Sequence, residues 1–532
     1  MTVLAWVSSV SWVLMSLVLM AKFVHVLQVE RYHGDAYLKW VMEGGGLSIY
    51  SSRKFDKTVH IVSLAMMASA YYSPKVINIE MVLLTIGAVY WILFHAKPDS
   101  EIKKALVVTA RVKRLLFIAL LLESIFLYLM WGNGVRVFIC STVLLAYMQP
   151  FFITLANFVA EPIEKFFQYG FRREAKAKVA GKKVIAVTGS FGKTGTKEAV
   201  AHLIETSFPI IKTPGSFNTP MGLCRVINDG LEPHHEIFVT EMGATRVGDI
   251  KELCEIVHPS IGVITSIGDA HMESFKTEEN VASTKFELAD ALPPDGILIY
   301  NSDYQAVRER VIGRAQKTVS YGLDPEHKPD YLPGNIRCSS NGSTFDLQTP
   351  DGIIEDINIK LLGRLNVLNV SAGFAVGRLL DISPERLKNG ASSLPQMEAR
   401  LELIQIPGSY LMVNDGFNSN LAGAKEAVRT LSYFENMKKI LVTPGIVDLG
   451  SKHEVINYDF GKTAAKYCDE AILVNERRTK PLKNGLMTGK MSAGSIRTFS
   501  SLADARRFID ETVGAGCVVL FENDLPDHME TF

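Results

Sequence analysis

The stretch that most constrains the fold is Val187-Thr-Gly-Ser-Phe-Gly-Lys-Thr-Gly-Thr196. An apolar run, Val184 to Val187, leads into it, and helix-forming sequence, Lys197-Glu-Ala-Val-Ala-His-Leu-Ile204, follows it. A strand that passes through a glycine turn ending in Lys-Thr and then into a helix surrounds phosphate oxygens with backbone N–H groups and a helix N-terminus. Gly189, Ser190, Phe191, Gly192, Lys193, Thr194, Gly195 and Thr196 are therefore expected to hold a nucleotide triphosphate. Lys193 is positioned to neutralise phosphate charge, and the Thr194 hydroxyl suits Mg²⁺. The spacing Gly-x-x-Gly-Lys-Thr is shorter than the usual loop, because Val187 stands in place of the first glycine.

With 532 residues the chain has room for several domains. Its apolar excess is concentrated before residue 160, which points to a membrane part joined to a soluble part. Candidate spans of roughly the ~20 residues a bilayer needs lie at 3–27, 58–73, 77–95, 115–135 and 137–159. Five Lys and Arg residues fall in loop 28–57, six in loop 96–114 and seven in segment 160–183, whereas the alternate loops hold only Lys75 and Arg136. Because cytoplasmic loops are enriched in basic residues, this places the N-terminus outside the inner membrane and the phosphate loop in the cytoplasm. Glu123 falls within the fourth span and Glu80 near the edge of the third, where a carboxylate serves either function or helix packing. Loop 28–57, with Tyr32, Tyr37, Trp40 and Tyr50, reads as an interfacial helix or a plain connection. The formal net charge is zero, and no basic run interleaved with aromatics occurs in the soluble half, so nothing points to nucleic acid. Six cysteines without a C-x-x-C pair argue against a zinc site or a disulfide framework.

After a charged helical linker, 161–180, apolar strand-like runs recur at 236–240, 261–265 and 296–300, with helical stretches near 220–228, 247–256, 278–292 and 303–312. That alternation predicts a parallel α/β sheet over 181–395, with ligands at the carboxyl ends of its strands. Glu241 and His271 fall there and are reasonable partners for a divalent ion bridging phosphates. Each taken alone is weak, as a surface glutamate or a capping histidine. Lys285 lies on an expected helix, and Asn301-Ser-Asp303 follows a strand, where it either reaches the nucleotide or closes an Asx-turn. Residues 336–362 carry Asn-Gly and Asp-Gly signals and read as hairpins. Beyond 396 a smaller α/β layer is expected, with strands near 401–406, 410–414, 439–443, 471–474 and 517–521 and helices near 422–435, 453–468 and 501–512.

Taken in order, Thr188-Gly-Ser-Phe-Gly-Lys-Thr-Gly-Thr-Lys-Glu198, Ser216-Phe-Asn-Thr-Pro-Met-Gly222, Glu241-Met-Gly-Ala244, Thr265-Ser-Ile-Gly-Asp-Ala-His271, Lys285-Phe-Glu287 and Asn301-Ser-Asp303 resemble the central domain of the Mur ligases. These are ATP-dependent amide-forming enzymes of cell-wall precursor synthesis, and the D-alanyl-D-alanine-adding (MurF) type is the nearest likeness. The resemblance implies a P-loop central domain and a Rossmann-like C-terminal domain. It also implies ATP with two Mg²⁺, one on Thr194 and Glu241, the other on His271 and a carbamylated Lys285, and a substrate segment at Asn218 and Thr219. Gly363-Arg-Leu-Asn-Val-Leu-Asn369 opens a helix as in the family, with Leu365 where a histidine is usual. Arg400 would contact phosphate after domain closure, and Asp415 and Asn418, in Asn414-Asp-Gly-Phe-Asn-Ser-Asn-Leu421, would face the nucleotide.

The departures concern the substrates. Ala399 replaces a glycine, Leu421 replaces a proline, and Thr443–Gly450 and Phe521–Asp527 differ from the family pattern, so the amino substrate does not transfer. The spans occupy the place of the uridine-nucleotide-binding domain. The resemblance thus implies a carboxylate activated as an acyl phosphate and displaced by an amine. The carboxylate is expected on an envelope glycan or lipid-linked precursor, and a membrane partner of a polysaccharide pathway is expected with it. Two rival readings are a poly-γ-glutamate-type synthase and an ATP-driven transporter; against transport, no Leu-Ser-Gly-Gly-Gln segment occurs.

Overall fold

The computed structural model describes residues 3–30, 32–50, 54–72, 77–95, 106–268, 275–416, 420–447 and 449–523. The chain forms two compact units, divided between Gly170 and Phe171.

The first unit is helical. Its helices run over Val3–Val29, Gly34–Trp40, Gly46–Tyr50, Lys54–Tyr72, Ile77–His95, Ala110–Trp131, Val135–Tyr147 and Gln149–Val179, the last passing on into the second unit. They enclose a core of Trp12, Leu19, Phe23, Tyr37, Trp91, Val143 and Ile153. Two described helices, 3–29 and 110–131, are long and apolar enough to cross a membrane. Helix 77–95 offers only the apolar stretch Ile79–Phe94, and helix 54–72 does not qualify.

The single span expected at 137–159 is instead a bent pair, with 73° between helices 135–147 and 149–179. Pro150 explains the break. A proline lacks an N–H and its ring crowds the carbonyl four residues back, here that of Ala146. The Tyr50 hydroxyl donates to this carbonyl at 3.0 Å, so the group freed by the bend is paired. Glu123 accepts a 2.8 Å hydrogen bond from Gln149 Nε2, the packing role weighed for it. Arg114 meets Glu164 through two bonds, of 2.6 and 2.8 Å.

In the second unit, strands β1 (Lys183–Thr188), β2 (Ile210–Lys212), β3 (Ile237–Glu241), β4 (Ile261–Ile264), β5 (Ile297–Asn301) and β6 (Lys317–Tyr321) form a parallel sheet in the order β2-β3-β1-β4-β5-β6. The unbroken apolar run of β1 follows from cover on both faces. Ile185 and Val187 join a core built with helices 193–205, 364–379 and 384–393. Val184 and Ala186 join the opposite core, with helices 220–230, 249–257 and 278–291. The hairpin signals become a three-stranded antiparallel sheet, β7 (Leu332–Ser339), β8 (Gly342–Thr349) and β9 (Gly352–Ile359). Its Phe345, Leu347 and Ile357 extend the first core.

Strands β10 (Glu402–Gln405), β11 (Leu411–Asp415), β12 (Lys438–Thr443), β13 (Glu470–Val474), β14 (Ile496–Phe499) and β15 (Cys517–Glu522) form a second sheet in the order β10-β11-β15-β12-β13-β14. Only the edge strand β10 pairs antiparallel. Helices 421–430, 453–464 and 476–488 cover one face and helix 502–512 the other. Helix 476–488 and strand β14 are not foreseen in the sequence. The helix contains Pro481 and Gly485 and little apolar residue, and the strand has four residues.

Candidate functional site

Between β1 and helix 193–205 the chain must reverse within five residues. Gly192 does so at φ 78°, in the left-handed region, as the N-cap of the helix. At Gly189 any Cβ would lie 2.0 Å from Thr265 Oγ1, so only glycine lets the loop lie against the end of β4. The loop is then fastened: Phe191 N donates to Ser266 Oγ at 2.7 Å, Ser190 N to Ser266 O at 2.9 Å, and Gly268 N to Ser190 Oγ at 3.1 Å. Lys193 Nζ folds back over the loop onto the carbonyls of Gly189 and Ser190, at 2.9 and 3.0 Å. Its burial lowers its pKa; Glu241 opposes that and Arg400 adds to it.

Glu241, the last residue of β3, is 1% exposed. Its Oε2 accepts from Thr194 Oγ1 at 2.8 Å and its Oε1 from Asn218 Nδ2 at 3.2 Å. The structure thus unites Thr194, Glu241 and Asn218, three residues picked out in the sequence. The paired hydroxyl and carboxylate are hard oxygen donors of the kind Mg²⁺ takes, so these residues fit one such ion. Among the described residues no three His, Cys, Asp or Glu side chains gather as a metal site. His271 and Asn418 lie outside the described residues.

Lys285, on helix 278–291, is 3% exposed, and its Nζ lies 5.9 Å from the centroid of Phe275. Burial, aided by the positive charge of Lys193, lowers its pKa to about 7. Glu287, two residues on, accepts from the backbone N–H of Gly248 and Lys251 and so caps helix 249–257. Thr219 caps helix 220–230, its Oγ1 accepting from Gly222 N at 3.3 Å. Asn301 accepts from Asp303 N at 2.9 Å, and Asp303 in turn holds the N–H groups of Leu323 and Asp324. That is the Asx-turn considered for this segment, and it occupies the carboxamide oxygen of Asn301.

From the far side of the second sheet's edge, Arg400 reaches back 206 positions in sequence to place Nη2 3.5 Å from Thr194 Oγ1. Asp415, at the end of β11, accepts from Leu401 N at 3.1 Å. Burial raises its pKa to about 6 against the pull of Arg400. Ala399 and Leu401, on either side of Arg400, adopt φ of 53° and 51°, the conformation that favours glycine. The backbone shape therefore persists at Ala399, where the sequence departs from glycine.

Three residues escaped the sequence reading as parts of the site. Thr213 Oγ1 accepts from Glu241 N at 3.2 Å, and Asn369 Oδ1 accepts from Thr196 Oγ1 at 2.9 Å. Lys197, fully buried, donates to the carbonyl of Thr213 at 2.7 Å and to that of Gly215. Its only signal was a lysine on the apolar side of the helix, four residues after Lys193.

Residues 187–377 match the model of the Mur ligase middle domain. The second unit thus carries a Mur ligase middle domain. It is 29% identical over 351 residues to the UDP-N-acetylmuramoyl-tripeptide--D-alanyl-D-alanine ligase of Bacillus subtilis, covering 64% of this chain and 73% of that one. With the enzyme of the same name from Escherichia coli it shares 29% over 284 residues, 53% of this chain and 62% of the relative. MurF from Acinetobacter baumannii superposes with a TM-score of 0.60 at 25% identity, over 68% of this chain and 79% of that chain. MurF from Thermotoga maritima, crystallised with ADP, has the same TM-score at 24% identity, over 68% and 82%; at that identity the likeness concerns the fold. Both Mur ligase relatives match only part of this chain, and the match to the family model begins at Val187, inside the second unit.

Proposed function

We propose that the protein is a membrane-anchored, ATP-dependent amide ligase that joins an amine to a carboxylate carried on an envelope glycan or lipid-linked precursor. The carrying observation is the convergence of Lys193, Thr194, Glu241 and Arg400 at one helix N-terminus, although they come from three separate stretches of chain. The two long apolar helices of the first unit support anchorage, with the charge asymmetry of the loops supporting a cytoplasmic catalytic half. Domain limits of 1–160, 161–180, 181–395 and 396–532 accompany this reading.

In the reaction a substrate carboxylate attacks the γ-phosphorus of ATP, ADP leaves, and the amine then attacks the acyl carbon of the acyl phosphate. Phosphate departs and the amine loses a proton. Thr194 and Glu241 would hold Mg²⁺, which when bound would neutralise phosphate charge. Lys193 orients the γ-phosphate, and Arg400 adds positive charge from the C-terminal side, so catalysis rests on positioning and electrostatics. Asn218 fixes the Glu241 carboxylate from the other side. Lys285, buried and with a pKa lowered to about 7, offers a substantial share of neutral amine near neutrality and so suits carbamylation by CO₂ with loss of a proton, which turns a repelling cation into an anion beside Lys193. His271 and Asn418 remain proposed as a metal ligand and a nucleotide contact.

The test is hydroxylamine trapping in membranes supplied with ATP and a panel of amino acids. An acyl hydroxamate formed on lipid-linked or polymeric material supports the proposal. ATP turnover that requires soluble UDP-linked muramyl peptide and ignores lipid-linked material overturns the choice of carboxylate, and turnover that proceeds with no amine and no carboxylate overturns the ligase. A polymer made from glutamate and ATP alone would mark a polyglutamate synthase.

A further inference from the structure

A cavity of about 440 Å³ lies away from the phosphate loop, lined by Pro333–Ile336 and Cys338 of the antiparallel sheet, by Arg364, and by Arg429, Ser432 and Tyr433. Among the described residues neither guanidinium forms a close ion pair or a side-chain hydrogen bond. One carboxylate, Glu426, lies within electrostatic reach of both, and its Oε1 accepts from the backbone N–H of Arg364 at 2.9 Å, which leaves one positive charge of the pair unbalanced. Tyr433 points its phenol to Cys338, which joins the wall of the antiparallel sheet to the wall that follows helix 421–430. Two fork-shaped cations, a phenol and a serine hydroxyl around one cavity form a donor-rich surface that a single carboxylate does not saturate.

We propose that this cavity is a second anion site, separate from the triphosphate cradle, that takes a phosphate or carboxylate group between Arg364 and Arg429. Arg364 opens helix 364–379 and Arg429 closes helix 421–430. An anion held by both ties the part built on the parallel sheet to the part built on the second sheet. Five residues along the first of these helices, Asn369 holds Thr196 of the phosphate loop. Occupation of the cavity is thereby linked mechanically to the position of the loop and to the approach of Arg400 to Thr194. The anion is either free phosphate or an acidic group on the growing glycan; both present the planar or tetrahedral oxygens that guanidinium groups pair with.

The experiment uses the full chain in nanodiscs with saturating AMP-PNP and Mg²⁺, so that the phosphate loop is already filled. Inorganic phosphate and D-glucuronate are titrated in separate arms at constant ionic strength, with hydrogen exchange of 332–338 and 429–433 as the readout. Slowed exchange in both segments is expected, together with affinity weakened about tenfold or more in R364Q/R429Q. A response to phosphate alone assigns free phosphate, and a response to glucuronate assigns an acidic sugar. No response in either arm, or a response that persists in the variant, overturns the site. Arg429 is exposed, so R429Q alone carries the test should the double variant fail to fold.

Discussion

Substituting Lys197 by methionine keeps most of the unbranched apolar stem and removes the charged ammonium. In the native protein the Nζ has no exposure and binds the carbonyls of Thr213 and Gly215, with Glu198 Oε1 at 3.1 Å. Glu198 keeps a second partner in Lys212 at 2.5 Å, so the carboxylate is not stranded, but two buried carbonyls lose a charged donor. Breaking a buried ionic group costs about 3–5 kcal/mol. The loss falls first on the segment that Lys197 holds, which runs from Thr213 to Asn218 and ends against Glu241. At 1.4 kcal/mol per decade, K197M therefore speeds amide exchange of Thr213 and Gly243 by roughly a hundredfold to a few thousandfold, because these amides are bonded to Val239 O and Asn218 O. Amides of the second sheet, such as Val519, keep their protection, and AMP-PNP affinity changes by no more than about threefold, since the loop's own ties to Ser266 remain. K197R restores part of the protection. Exchange of Thr213 and Gly243 within threefold of wild type would refute the reasoning, as would equal loss of protection across β4 to β6, which would mean general unfolding.

E241Q and T194V each remove half of the Thr194–Glu241 pair and are expected to slow amine-dependent phosphate release by about 10²–10³-fold, the scale of losing one preorganised group at a developing charge, while circular dichroism stays unchanged. Asp415 carries a pKa raised to about 6 in the folded chain, above its unfolded value. Its contribution to stability is therefore complete below about pH 4 and is lost as pH rises through 6, so D415N should flatten the melting temperature against pH between 4 and 6. F374A opens a cavity at a side chain with no exposure in the core shared by helix 364–379 and the antiparallel sheet, at a cost of about 3–5 kcal/mol, read as a lower urea midpoint for the second unit.

Much of the fold was legible because its signals are local. The strand, turn and helix around Val187–Thr196 announce a glycine loop at a helix N-terminus, a geometry that glycine alone permits, and the strands ending in Glu241, Ile264 and Asn301 could be read from apolar runs covered on both faces. The break at Met148 was less visible, because hydropathy registers apolar length and not the carbonyl that Pro150 displaces. Helix 476–488 was missed for the opposite reason: Pro481 and Gly485 argue locally against a helix that packing against helix 453–464 sustains.

By itself the sequence determined the phosphate loop, the parallel sheet and the residue types of the site, since each follows from backbone stereochemistry and period. Only the tertiary structure decided that Glu241 is shared between Thr194 and Asn218, that Arg400 arrives from 206 residues away, and that Arg364 and Arg429 face one cavity. Those are long-range juxtapositions, set by how layers pack, and no local pattern in the chain encodes the distance between two side chains that meet only after folding.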